Sequence, residues 1–93
     1  MVRYYIVVDG RVQGVGFRYY CQMNATNLNL TGWVRNMSNG MVEMEVQGTE
    51  HTLAKFISLI SKGNYFIRVT SVSKKEIPLI ASETKFKITH SAT

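Results

Sequence analysis

One cysteine, one proline and six acidic residues are all that this 93-residue sequence contains of each kind. The lone Cys21 has no second cysteine to bond, so a disulfide framework is excluded. No apolar run approaches the roughly 20 residues that a membrane-spanning helix needs. The start, Met1-Val2-Arg3-Tyr4-Tyr5, lacks the charged opening, apolar middle and small-residue cleavage site of a secretory leader. Without secretion, the Asn-x-Ser/Thr triplets at Asn24, Asn29 and Asn36 have no acceptor role. His51 and His90 stand isolated, so no metal-ligand spacing is present. Linkers, repeats and low-complexity segments are also missing. These absences lead to the expectation of a complete, soluble, cytoplasmic chain forming one domain over 1–93. A domain of this size buries roughly 60–68% of its unfolded surface, enough for a core without staples.

The shortage of acid has a counterpart in basic residues. Eleven Lys and Arg against six Asp and Glu give a formal net charge of +5. In the first forty residues Arg3, Arg11, Arg18 and Arg35 face only Asp9. Such a positive half suits an anionic partner, either a small phosphate or a nucleic acid, and also suits a merely solvated surface. Charge does not choose among them.

Periodicity predicts the elements. Val2 to Asp9 is β-branched and aromatic, a strand; Gly10 to Gly16 follows as a loop. Phe17, Cys21, Ala25 and Leu28 recur at helical spacing, so a helix is predicted from Phe17 to about Asn29. Gly32 to Asn36 reads as a second strand, Asn39-Gly40 as a hairpin turn, and Met41 to Gln47 as a third strand with clean alternation. A second helix opens on Thr49 and Glu50, carries the stripe Leu53, Phe56, Ile57 and Ile60, and closes on Lys62 and Gly63. Ile67 to about Ile77 and a short stretch around Phe86 and Ile88 are further strands, the latter with Lys85 and Lys87 outward. Phe17, Trp33, the Val42/Met44/Val46 face and the helix stripe are expected in the core, Tyr4, Tyr5, Tyr19 and Tyr20 partly exposed.

The order βαββαβ plus a terminal strand is the ferredoxin-like α+β pattern: two helices on one face of a mixed four- to five-stranded sheet. Right-handed crossovers make strands one and two parallel, with strand three antiparallel between them. Their C-terminal ends then lie on one sheet edge about 10 Å apart, two strand spacings. Asn36 ends strand two, and so looks across at whatever the 10–16 loop binds.

That loop, Gly10-Arg11-Val12-Gln13-Gly14-Val15-Gly16-Phe17-Arg18, joins a strand to a helix N-terminus. Its three glycines allow successive N–H groups to converge on an anion, and the helix adds unpaired amides and a positive dipole end. Arg18 in the first helical turn can fold its planar fork over the same anion. No Gly-Lys-Ser/Thr ending is present, so this is not a P-loop, and Tyr19 breaks a dinucleotide fingerprint. Cys21 lies after the loop with no Arg six residues on, which excludes a cysteine-phosphatase cradle and leaves it a small core residue. A glycine-rich connection needed only for packing fits the same residues. Likewise Asn36 can cap local backbone or, since Asn39-Gly40 already makes the turn, offer its amide to a ligand.

The two segments together resemble the two signatures of the acylphosphatase family. Gly-x-Val-Gln-Gly-Val-x-Phe-Arg matches Gly10 to Arg18. Gly-aromatic-Val-basic-Asn, then Gly-x-Val and a final Gly, matches Gly32-Trp33-Val34-Arg35-Asn36, Gly40, Val42 and Gly48. The resemblance implies a cofactor-free and metal-independent hydrolase converting an acyl phosphate and water to a carboxylate and inorganic phosphate. It implies that Arg18 binds the phosphate, that Arg11, Val12, Gln13, Gly14, Val15, Gly16 and Phe17 supply the amide cradle, and that Asn36 positions the attacking water. The expected partners are a small acyl phosphate and its phosphate product, with no nucleic acid and no membrane, on a monomer. Two rivals share the fold: an RNA-binding sheet, which leaves Arg18 and the loop unexplained, and the acylphosphatase-like domain of a larger carbamoyl-transferring enzyme.

Overall fold

Val2–Arg11, rich in β-branched and aromatic residues, is strand β1 of the computed structural model, which describes residues 1–90. The last three positions of the domain expected over 1–93 lie outside the described residues. There follow α1 (Phe17–Asn27), β2 (Thr31–Asn36), β3 (Val42–Gly48), α2 (Glu50–Lys62), β4 (Arg68–Ile77) and β5 (Phe86–Ile88). The sheet order is β4-β1-β3-β2-β5. β3 runs antiparallel to both β1 and β2, which are therefore parallel to each other, as the sequence predicts. β4 adds antiparallel to β1, and β5 parallel to β2. The architecture is ferredoxin-like α+β, with both helices on one face of a five-stranded mixed sheet. Among the described residues, no helix is long and apolar enough to cross a membrane.

Strand alternation decides which face is dry. Ile6 and Val8 of β1, Val34 of β2, and Val42, Met44 and Val46 of β3 are fully buried, against Phe17, Cys21 and Ala25 of α1 and Leu53, Phe56 and Ile60 of α2. Each such aliphatic or aromatic side chain contributes about 1.5–3 kcal/mol by leaving water. Burial pushes the Cys21 thiol up, so it stays protonated among apolar neighbours. Ile57 of the predicted stripe is half-buried against this core. Thr49 caps α2, its Oγ1 accepting from Thr52 N at 3.3 Å, and Gly63 closes it.

Three expectations are corrected. Trp33 is not in the core: alternation with buried Val34 turns it to the opposite face, where the Arg35 guanidinium lies 4.9 Å from its ring centroid. Helix α1 stops at Asn27 because Asn29 adopts φ +57°, and Leu30 N and Asn29 N bond back to Ala25 O and Thr26 O at 2.9 and 3.1 Å. That pair of bonds is a Schellman closure with Asn in the left-handed position. Gly10 and Arg11, expected in the loop, are the last residues of β1. They pair with Val69 and Arg68 after a register shift at Asp9, and a Cβ on Gly10 would come 2.1 Å from the Arg68 carbonyl oxygen.

The second face of the sheet is polar at its centre. Glu43 accepts from Tyr5 Oη at 2.5 Å and from Arg35 Nε at 2.7 Å. Burial alone would raise the Glu43 pKa, but these two bonds outweigh it and hold the carboxyl below the ordinary carboxylate range. The bond to Glu43, aided by burial, pushes the Tyr5 phenol up to about 12. Linkage gives each a sign. Glu43 contributes stability above its unfolded value of about 4.3 and loses it as pH falls through the lower folded value. Tyr5 contributes below about 10, and that stability is lost as pH rises through the raised folded value. Glu43→Gln should therefore flatten the acid limb of a denaturation-versus-pH curve. It should also return Tyr5 toward the ordinary phenol range in an ultraviolet titration. An unmoved Tyr5 would contradict the assignment.

Candidate active site

Helix α1 starts without a side-chain cap. Its N-cap is Gly16 at φ +79°, ψ +19°, and two residues earlier Gly14 sits at φ +72°. Among the described residues a Cβ on either glycine would meet nothing within 4 Å, so conformation and not space calls for glycine there. Left-handed residues of this kind, here on both sides of Val15, are the backbone type from which anion nests are built. The first bond of the helix runs from Tyr20 N to Gly16 O at 3.0 Å. The amides of Phe17, Arg18 and Tyr19 therefore have no acceptor within the helix. The orphan amides and the dipole both give the start of α1 positive potential.

A cavity of about 200 Å³ opens at that point. Val12, Gly14, Gly16 and Phe17 line it together with Arg18 and Tyr19 of α1, Asn36 from the end of β2 and Ile88 of β5. The register explains why Asn36 is there. Val8 and Asn36 both pair with Val42, one from each side of β3, so they stand two strand spacings apart, about 10 Å. Asn36 shares the parity of buried Val34 and so leaves the sheet on the helix side.

Arg18 lies half-buried in the first turn of α1. Among the described residues it forms no ion pair, and its one hydrogen bond is a long contact, 3.5 Å, from Nη1 to Thr89 O. Thr89 itself is tied to β2 by a 2.8 Å bond from its N–H to Val34 O. The guanidinium is thus steadied at one corner, and the residue lines the cavity.

Of the predicted cradle, Val12, Gly14, Gly16 and Phe17 come together with Arg18 and Asn36 in the cavity wall. Arg11, Gln13 and Val15 do not line it. Val15 packs on the core, and the exposed Arg11 opens onto a second cavity. Gln13 bridges: its Nε2 donates to Met37 O at 2.7 Å and Met41 O at 2.8 Å, the two residues that close the β2–β3 hairpin. It ties the loop to the residue that follows Asn36. Sequence reasoning missed Tyr19, 65% exposed at the rim, and Ile88. Tyr19 was signalled only by adjacency to Arg18, and Ile88 only by the pairing of β5 beside β2. Among the described residues, no three His, Cys, Asp or Glu gather in a set that could hold a metal.

A family profile described as Acylphosphatase matches residues 4–88. The chain belongs to the acylphosphatase family. It is 50% identical over 88 residues to an acylphosphatase of Clostridium beijerinckii, covering 95% of this chain and 98% of that one. The crystal structure of acylphosphatase from Bacillus subtilis superposes with a TM-score of 0.90 at 43% identity, covering 96% of this chain and 99% of that one. The crystal structure of T. kodakarensis HypF contains the same fold at TM-score 0.84 and 33% identity, but this chain spans only 12% of its length. Family membership makes the chain a hydrolase of acyl phosphates.

Proposed function

We propose that the phosphoryl group of an acyl phosphate sits on the amides of the 12–17 segment at the start of α1, gripped by Arg18, while Asn36 holds the water that attacks phosphorus. The observation that carries this reading is the convergence of Gly14, Gly16, Arg18 and Asn36 on one 200 Å³ cavity. A carboxylate is a good leaving group, so the protein need only position the reactants and neutralise charge. The water oxygen forms the new P–O bond as the bond to the acyl oxygen breaks. The carboxylate departs, and the water's proton ends on the phosphate product or in solvent. Amide donors and the Arg18 fork follow the charge on the equatorial oxygens.

The test is hydrolysis of benzoyl phosphate with and without EDTA. Fast turnover that EDTA leaves unchanged is expected, and no turnover by folded protein would overturn the reading. Asn36→Ala should lower kcat by about 10²-fold, the usual consequence of a misplaced reactant. Inhibition by inorganic phosphate should barely change, because Asn36 holds water and not phosphate. An equal loss of both would move Asn36 to the phosphate itself.

The same reading makes the chain a cytoplasmic monomer without a nucleic-acid partner. On the open sheet face Glu43 and Glu45 tie up Arg35 and Arg3, and Tyr5 is bonded to Glu43, so these groups are engaged with one another and not presented to a nucleic acid. Sedimentation at the 10.6 kDa mass of one chain checks the monomer.

A further inference from the structure

Arg11 and Arg68 stand directly opposite each other across β1 and β4, so their side chains leave the sheet on the same face. Like charges in that register weaken strand pairing. Among the described residues neither is in an ion pair. With Lys62 from the last turn of α2 they border a cavity of about 690 Å³ that also takes in Asn64, Tyr65 and Thr70, and among the described residues no acid lines it. The carboxylates are committed elsewhere. Glu45 and Glu83 hold Arg3, Glu43 holds Arg35, Asp9 accepts from the Gly10 amide, and Glu50 begins α2 at its other end. Glu76 is opposite Tyr4 near the far end of β4.

The aromatic wall is presented by a built turn. Asn64 Oδ1 accepts from Phe66 N at 2.9 Å and Ile67 N at 3.0 Å. This turn leaves Tyr65 91% exposed, with Phe66 edge-on at 5.2 Å between centroids. Arg11 is also chain neighbour to Val12, which lines the cradle cavity, so the two cavities flank the end of β1.

We propose that this cavity is a second anion site, separate from the cradle, that takes a polyphosphate group. Three cations in one cavity, none of them in an ion pair among the described residues, match several linked phosphates better than a single one. Two of the cations are guanidinium forks suited to paired phosphate oxygens. The cavity is within the span of about 300–1,000 Å³ usual for small-molecule sites. Tyr65 adds a face on which a base can stack if the polyphosphate is borne on a nucleoside.

The test is titration of the protein with tripolyphosphate and with ATP at low ionic strength, where exposed charges are least screened, followed by amide proton–nitrogen correlation spectra. Shifts are expected across residues 61–70, in Arg18→Ala as in the unaltered protein, because the site does not use the cradle. Arg68→Glu gives Arg11 an opposite charge across the strands, so it should melt no lower than the parent while binding at least about tenfold more weakly. Tighter binding of ATP, with the advantage removed in Tyr65→Ala, identifies the nucleoside-borne form; equal binding identifies free polyphosphate. Shifts confined to 12–18 and lost in Arg18→Ala, no shifts at 61–70, or undiminished binding in Arg68→Glu would each overturn the proposal.

Discussion

Arg18→Ala should lower acyl phosphate turnover by about 10²–10³-fold, the loss seen when one charge-stabilising donor is removed from a preorganised site. The figure follows from what surrounds the guanidinium. Its one hydrogen bond among the described residues is the 3.5 Å contact to Thr89 O, so little fold stability depends on it, and the variant should melt close to the parent. The amide nest and the start of α1 remain, so activity should fall to a residual rate and not to that of water alone. Arg18→Lys should recover little of the loss. An ammonium restores the charge but not two parallel N–H bonds to two phosphate oxygens, and it is more strongly hydrated than a guanidinium. Inhibition by inorganic phosphate should weaken in both variants, in contrast to Asn36→Ala, because in the proposed mechanism Arg18 grips the group that product and substrate share. Equal turnover in Arg18→Lys and the parent would reduce Arg18 to a diffuse positive charge.

The glycines of the cradle were legible because a left-handed residue is a local property, and because a strand on one side and a helix on the other bound the loop. The partnership of Asn36 with that loop was legible for a topological reason: a right-handed βαβ crossover brings two strand ends to one edge. What escaped depended on contacts distant in sequence. Ile88 enters the site only because β5 adds parallel to β2, with Val34 opposite Ile88. Gly10 and Arg11 extend β1 only because β4 runs on beside them to Arg68. The role of the Gln13 side chain depends on where the 37–41 hairpin tip falls. Trp33 is a different kind of failure. Its neighbour Val34 already marked the core face, and alternation placed Trp33 on the other one, but residue type was given more weight than parity.

Arg3→Ala should cost the fold roughly 3 kcal/mol, the lower end of what breaking a buried ion pair costs. Parity puts Arg3 on the open sheet face, yet it is 0% exposed. The segment linking β4 to β5 crosses that face and seals it. Arg3 Nε donates to Glu45 at 2.9 Å, Nη1 to Glu83 at 2.7 Å and to Gln47 at 3.2 Å, and Nη2 to Glu83 at 3.2 Å. Gln47 then clasps Ile80 through both backbone groups, each bond 2.9 Å. One guanidinium therefore pins a strap across the bottom of the sheet. Alanine would leave Glu45 and Glu83 facing each other without a counter-charge. The lower end of the range applies because those carboxylates retain 24% and 17% side-chain exposure, so water relieves part of the penalty. For a domain of this length the loss corresponds to a Tm lower by roughly 12–24 °C. Arg3→Lys should restore only a fraction, since one ammonium cannot reach the directions that four guanidinium bonds now span. Arg3 pairs with Gln47 and Ile77 near the start of β1, the end opposite the cradle. Turnover per folded molecule, measured well below the new Tm, should therefore match the parent. A full-stability Arg3→Ala would mean that the strap is held by the Gln47–Ile80 clasp alone, and Gln47→Ala would then carry the loss instead.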